Sequence, residues 1–187
     1  SPPALDWICT NQEDIAGFIC PGHVSVITGS ASYEPLAEKY GKPFVVTGFE
    51  AEHILASLYR LVKQVEEGKG YVENLYKNAV KPEGNVKALK VMNEVYETGP
   101  AMWRGLGIIS DSGLYLRKEY ELYDGGSREL FADMELPEGC RCGDVIVGRL
   151  NPDQCPMFGK ACTPVKPFGP CMVSSEGACG IWYRNVT

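Results

Sequence analysis

The sequence predicts a parallel-sheet α/β domain with helices on its faces over residues 1–136, followed by a small irregular Cys-rich domain over 137–187. Two observations carry this. Short apolar runs alternate with segments of helical periodicity from Ile15 to about Gly107, the sign of strand–helix–strand units around a parallel sheet. After Pro137 the composition shifts to Cys, Gly and Pro, and six of the eight cysteines (Cys140, Cys142, Cys155, Cys162, Cys171 and Cys179) fall there. Bonds to ligands, more than a core, are expected to hold that part together.

The elements follow in order. The apolar run Ala16–Ile19 leads to a Pro21-Gly22 turn that carries His23 and Ser25. Phe44-Val45-Val46-Thr47 reads as a strand ended by Gly48. Ala51–Glu67 then reads as a helix, with Ile54, Leu55, Leu58, Leu61, Val62 and Val65 at helical spacing. Tyr71–Leu75 is the next strand candidate. Gly84 and Asn85 open a second helix with Val86, Leu89, Val91, Met92, Val95 and Tyr96 as its buried residues, and Gly99-Pro100 is expected to stop it. Trp103 to Leu136 reads as a Gly-punctuated connector with strand-like pieces at Gly107–Ile109 and Leu114–Leu116.

Bulk properties narrow the function. A chain of 187 residues, 44% apolar and 22% charged, has a globular composition and holds one ordinary domain plus a small appendage. The net charge of −6, with no Lys/Arg stripe interleaved with aromatics, argues against nucleic acid as a partner. No apolar run approaches the roughly eighteen residues of a membrane span, and no Arg/Lys-led apolar leader is in view. Ser1-Pro2-Pro3 reads as the start of a trimmed piece. A cytoplasmic setting is expected, which favours metal or redox use of the thiols over structural disulfides.

Spacing weighs iron–sulfur against zinc. Structural zinc draws on short C-x2-4-C knuckles, and here only Cys140 and Cys142 come that close. Long intervals suit loops folded over a body wider than one ion, and the subset Cys140-x14-Cys155-x6-Cys162-x16-Cys179 stands out, with Val145, Ile146, Met157, Phe158 and Phe168 nearby. Iron–sulfur leads on these grounds; zinc and disulfides stay open.

In the α/β part, His23 and Ser25 follow an apolar run, and Glu50 follows the Val45–Gly48 strand, where ligands of such folds bind. Each has a plain alternative: His23 packs or caps a turn, and Glu50 supports a helix start. Glu52 and His53 read as solvated helix positions. No Ser/His/Asp constellation, Walker loop or GxGxxG is present.

Pro21-Gly22-His23-Val24-Ser25-Val26-Ile27-Thr28-Gly29 and Pro43-Phe44-Val45-Val46-Thr47-Gly48-Phe49-Glu50 resemble two signature segments of the HypD family of NiFe-hydrogenase maturation factors. The resemblance continues through Asn74-Leu75-Tyr76, Gly84-Asn85, Trp103-Arg104-Gly105-Leu106-Gly107 and Ser112-Gly113-Leu114. It ends in Cys155-Pro156-Met157-Phe158-Gly159-Lys160-Ala161-Cys162-Thr163-Pro164 and Met172-Val173-Ser174-Ser175-Glu176-Gly177-Ala178-Cys179. It covers nearly the whole chain in order.

The resemblance implies a 4Fe–4S protein that, with a HypC-like chaperone and a HypE-like cyanide donor, carries the iron of the Fe(CN)2CO fragment. It implies a cluster that feeds electrons to a nearby thiol/disulfide pair. It makes Cys140, Cys155, Cys162 and Cys179 the ligand set, with Cys142 as the alternative to Cys140 or a redox neighbour, and Cys171 as a bystander. It gives His23, Glu50 and Glu176 supporting roles in the site. The family's amino-terminal Cys-Gly-x-His, Gly-Pro-Gly-Cys-Pro-x-Cys and Phe-Gly-Asp segments do not occur here, and Ala51 stands where the family has Pro. The chain is therefore expected to be a carboxy-terminal half, unable to build the iron fragment without its amino-terminal half. Cys9 and Cys20 are expected to be buried small residues. A free-standing cluster-dependent thiol/disulfide module using Cys140 and Cys142, and a structural zinc or disulfide domain, are the alternatives.

Overall fold

The computed structural model describes residues 2–126 and 136–186, with only the backbone of 186. Residues 127–135 of the expected connector lie outside the described residues. The chain forms two units, one of residues 1–98 and 116–123, the other of 99–115 and 124–187, so the boundary falls inside a strand pair.

The first unit is a three-stranded parallel sheet, β1 (Phe18–Pro21), β2 (Phe44–Thr47) and β3 (Val72–Asn74), in the order β1-β2-β3. The register pairs Phe18 with Phe44, Cys20 with Val46 and Phe44 with Val72. The predicted β2 run is the central strand, and all four of its residues are buried. Around the sheet lie α1 (Pro2–Asn11), α2 (Gly22–Thr28), α3 (Glu34–Tyr40), α4 (Ala51–Glu66) and α5 (Val86–Val95). Side chains alternate faces along a strand. Phe44 and Val46 therefore share one face, where they pack with Cys9, Tyr33, Leu36, Ala37 and Val80. Phe44 stacks on Phe18 at 4.9 Å and lies 6.1 Å from Tyr33, centroid to centroid. Cys9 and Cys20 sit in this core as expected, and burial pushes the Cys20 thiol up to about 12.

Val45 and Thr47 point to the opposite face, where Thr47 Oγ1 donates to the His53 carbonyl of α4 at 3.1 Å. The location of α4 matches the sequence reading; its facing does not. Ser57 and Gln64 are turned inward at 0% and 1% exposure, while Leu55 and Val62 are 68% and 51% exposed, and Leu58, Tyr59 and Val65 are exposed as well. Of the predicted stripe only Ile54 and Leu61 are half-buried. The cause is Gln64, whose Oε1 accepts from the Tyr71 N–H at 3.2 Å and whose Nε2 donates to Glu73 at 3.2 Å, tying the helix to the start of β3. Ser57, small and bonded to the Ile54 carbonyl, allows the helix to sit close. Leu55→Ser and Val62→Ser are therefore expected to change stability by less than about 0.5 kcal/mol, whereas Ser57→Leu overpacks and costs about 1–3 kcal/mol. Urea unfolding of the three variants checks this ordering.

Two further expectations need correction. Asn85 does cap α5, its side chain accepting from the Ala88 N–H at 3.1 Å, but none of the residues of α5 is buried. The helix ends at Val95, before Gly99-Pro100, because Tyr96 turns extended and the chain enters β4 (Tyr96–Trp103) directly. β4 pairs with β5 (Gly107–Leu116), which joins the two predicted strand-like pieces into one strand. A link of three residues permits only an antiparallel pair. Asp111, at a φ of 54°, is the one non-glycine residue in the left-handed region among the described residues, and Asp tolerates it better than most.

In the second unit lie α6 (Cys142–Ile146), α7 (Pro170–Val173) and α8 (Ala178–Val186). Asn151 and Gln154 form a reciprocal capping box around the short turn Pro152–Gln154. Among the described residues no helix is long and apolar enough to cross a membrane.

Candidate metal centre

The core of the second unit is made of thiols. Cys142, Cys162, Cys171 and Cys179 are buried with Val145 and Met172, and Cys140, Leu150, Met157, Phe158 and Phe168 pack against them. All six carboxy-terminal cysteines line one cavity, with Val145, Met157, Phe158 and Met172 as apolar walls. Local sequence explains how they meet. Cys142 opens α6, Cys171 is in α7, and Cys179 lies in the first turn of α8. A tight loop closed by the Cys162 N–H donating to the Met157 carbonyl at 2.9 Å brings Cys155 and Cys162 round to the same side. Gly169 makes the approach possible: a Cβ there would stand 2.9 Å from both the Cys140 Sγ and the Cys142 Cβ.

Within the cavity the thiols are unequal. The Cys142 and Cys171 sulfurs are 2.9 Å apart, and Cys171 is 3.2 Å from Cys179. The Cys171 contact first, and burial second, push the Cys142 thiol far up. Burial raises Cys140 and Cys179 too. The Phe168 N–H donates to the Cys162 sulfur at 3.4 Å, the kind of bond that stabilises a thiolate. Two buried donors of this unit, Arg104 Nε and Trp182 Nε1, have no hydrogen-bond partner among the described residues. Among the described residues no group of three or more His, Cys, Asp or Glu side chains is arranged to hold a metal ion.

The four spacing-matched cysteines thus share one cavity, and the structure adds Cys171 to them as a direct partner of Cys142. Sequence reading treated Cys171 as a bystander, since 29 residues separate the two and no local pattern announces the contact. Glu176 is exposed on the loop between α7 and α8 and is not among the residues lining the cavity.

His23 and Glu50 belong to the first unit, at the carboxyl ends of β1 and β2. His23 is exposed in α2, its ring 5.2 Å from that of Phe49. Glu50 caps the start of α4, and its carboxylate meets His53 Nδ1 at 2.6 Å. Its own backbone N–H first, and the His53 ring second, hold the Glu50 carboxyl below the ordinary range. His53, read from sequence as a solvated position, is thus part of this corner, and its ring lies 5.5 Å from Tyr76. The Glu50–His53 spacing of three at a helix start was the signal for it. Ser25 is fully buried, donating to the Pro21 carbonyl at 2.9 Å and paired with the Tyr33 hydroxyl at 3.2 Å.

A parallel three-stranded sheet with helices, together with a second unit whose six cysteines line one cavity, defines a mixed α/β protein with a Cys-rich carboxy-terminal region. A model of the HypD family, described as the Hydrogenase formation hypA family, matches residues 1–186, and the chain belongs to that family. It is 43% identical to a protein of Methanocaldococcus jannaschii named for hydrogenase expression and formation, over 98% of this chain and 52% of that protein. It is 44% identical to the hydrogenase maturation factor HypD of Rhodobacter capsulatus, over 90% of this chain and 46% of that protein. With HypD of Escherichia coli the identity is 39%, over 91% and 46%. The chain spans about half the length of these curated relatives.

Proposed function

We propose that the chain serves NiFe-hydrogenase maturation as the thiol-redox half of a HypD-type scaffold, with one 4Fe–4S cluster in the second unit. The observation that carries this is the gathering of six thiols on one cavity, two of them 2.9 Å apart. The donor set fits such a cluster: soft sulfur ligands, apolar walls, and an N–H already directed at one sulfur. Cys140, Cys155, Cys162 and Cys179 would hold it, because the Cys142–Cys171 contact leaves Cys140 as the member of its pair free to ligate. The cluster supplies one-electron transfer when bound.

Cys142 and Cys171 are the exchangeable pair. Their separation is within about 1 Å of a disulfide's bond length of roughly 2.05 Å, so closing the bond needs only a small shift. Closing the S–S bond would release two protons and two electrons, which the cluster would pass one at a time to an external electron acceptor; reduction would draw two electrons, again one at a time, from an external electron donor.

The iron fragment itself is cargo. Its cyanide and carbonyl ligands would be installed with a HypC-like chaperone, a HypE-like cyanide donor and the half of the family's polypeptide that this chain does not match, in the cytoplasm. His23 and Glu50 would take supporting roles in that work, and Glu176, exposed outside the cavity, would act by fixing the loop that leads to Cys179. The chain alone, given the two partners in cells lacking their own HypD, is expected to leave cyanide transfer at background, and addition of the other half to restore it. Restoration by the chain alone would overturn the half-scaffold reading. It would favour a free-standing thiol/disulfide module instead, a reading that the Cys142–Cys171 contact already allows because it lies wholly within this chain.

A further inference from the structure

We propose that Arg104 is the charge partner of the thiol-held cluster, supplying the positive charge and N–H donor that a buried, negatively charged group requires. The inference rests on the cluster reading above.

Arg104 lies in the link between β4 and β5, a turn closed by the Leu106 N–H donating to the Trp103 carbonyl at 2.9 Å. The next residue, Gly105, at a φ of +88°, packs its backbone on Gly143 of α6, so close that a Cβ would stand 2.9 Å from the Gly143 Cα. That contact brings the turn against the residue following Cys142. Arg104 Nε is sealed from solvent and meets no acceptor among the described residues. A guanidinium nitrogen buried without an acceptor is costly, and its presence calls for a charged partner.

The cavity needs such a charge. Four thiolates leave a cluster net negative, and reduction adds to that charge. The residues lining the cavity include no cation. Neighbouring cations are engaged elsewhere: Arg141 pairs with Asp144 at 2.5 Å, Arg184 donates to the Ser175 carbonyl, and Lys166 lies over the Phe168 ring at 5.7 Å. Among the described residues half-buried Arg104 has its Nε sealed from solvent without an acceptor, and because the reduced form of the cluster is the more negative, Arg104 favours reduction.

The test is an EPR-monitored redox titration of the whole chain, reconstituted with iron and sulfide without oxygen, as wild type, Arg104→Met and Arg104→Lys. At a fixed potential, Arg104→Met is expected to lower the reduced-to-oxidised ratio about tenfold, a shift of about 59 mV to more negative potential for a one-electron couple. Arg104→Lys keeps the charge and is expected to stay near wild type. A Met variant with full iron content and the wild-type potential overturns the proposal. If the Met variant takes up no iron, the Lys variant decides: a wild-type potential supports the charge role, and a large negative shift with charge retained overturns it. A wild-type chain that binds no iron and sulfide sinks the cluster reading and this inference together, whereas a loaded wild type with an unshifted Met variant sinks only the inference. A merely structural Arg104 would alter iron content or melting without moving the potential.

Discussion

Cys155→Ser and Cys162→Ser should each leave the chain unable to retain iron and sulfide, while the β1–β3 sheet stays folded. Both sulfurs line the cavity, and Cys162 already accepts an N–H bond. A serine oxygen is a hard donor with a far higher pKa than a thiol, so it replaces a soft thiolate poorly. Metal binding couples to folding, so the second unit should loosen in these variants. The core of the first unit contains neither residue, being built on Phe44, Val46, Tyr33, Leu36 and their neighbours. Iron and sulfide analysis after anaerobic reconstitution, with hydrogen exchange on β2 amides as the control for folding, checks both halves of the expectation. Full iron retention by either serine variant would remove that cysteine from the ligand set. Cys171→Ser should behave differently: it should keep the iron and abolish a reversible two-electron thiol titration.

The second large effect is expected at Phe44. The ring is fully buried on the central strand, stacked on Phe18 and facing Tyr33. Phe44→Ala removes those contacts and leaves a cavity that strands on both sides cannot collapse into, at a cost of about 3–5 kcal/mol. That is a large share of the roughly 5–15 kcal/mol that holds an ordinary domain. The urea midpoint of the first unit, followed by β-sheet signal, should fall accordingly with little change in slope. A loss below about 1 kcal/mol would mean that the core is centred elsewhere.

Local patterns made much of this legible, and long-range geometry accounts for the rest. Phe44–Thr47 was readable as a strand because a β-branched run ends in a glycine, and it is the buried centre of the sheet. The extent of α4 was readable from its period, but its facing was not. Its apolar residues share one face at helical spacing, yet the Ser57 and Gln64 side is the one that packs inward, held by the Gln64 amide meeting the Tyr71 N–H and Glu73. The end of α5 was misplaced because Gly99-Pro100 is a strong stop signal, yet the chain had already turned extended at Tyr96 to pair with β5. At the site, spacing singled out Cys140, Cys155, Cys162 and Cys179, which line one cavity together with Cys142 and Cys171. The Cys142–Cys171 contact and the approach of Arg104 depend on two close backbone contacts, at Gly169 and at Gly105 against Gly143. Neither contact has a local signature. His53 was missed for a related reason, since an exposed helix histidine looks solvated until its carboxylate partner is seen.

The most direct test of the account is to purify the chain without oxygen and record its visible spectrum together with its iron and sulfide content. The account predicts a brown protein with about four irons and four sulfides per chain and an absorption shoulder near roughly 400 nm. A colourless protein that carries zinc, or none of these with its thiols oxidised, would contradict it and leave the six cysteines as a structural core.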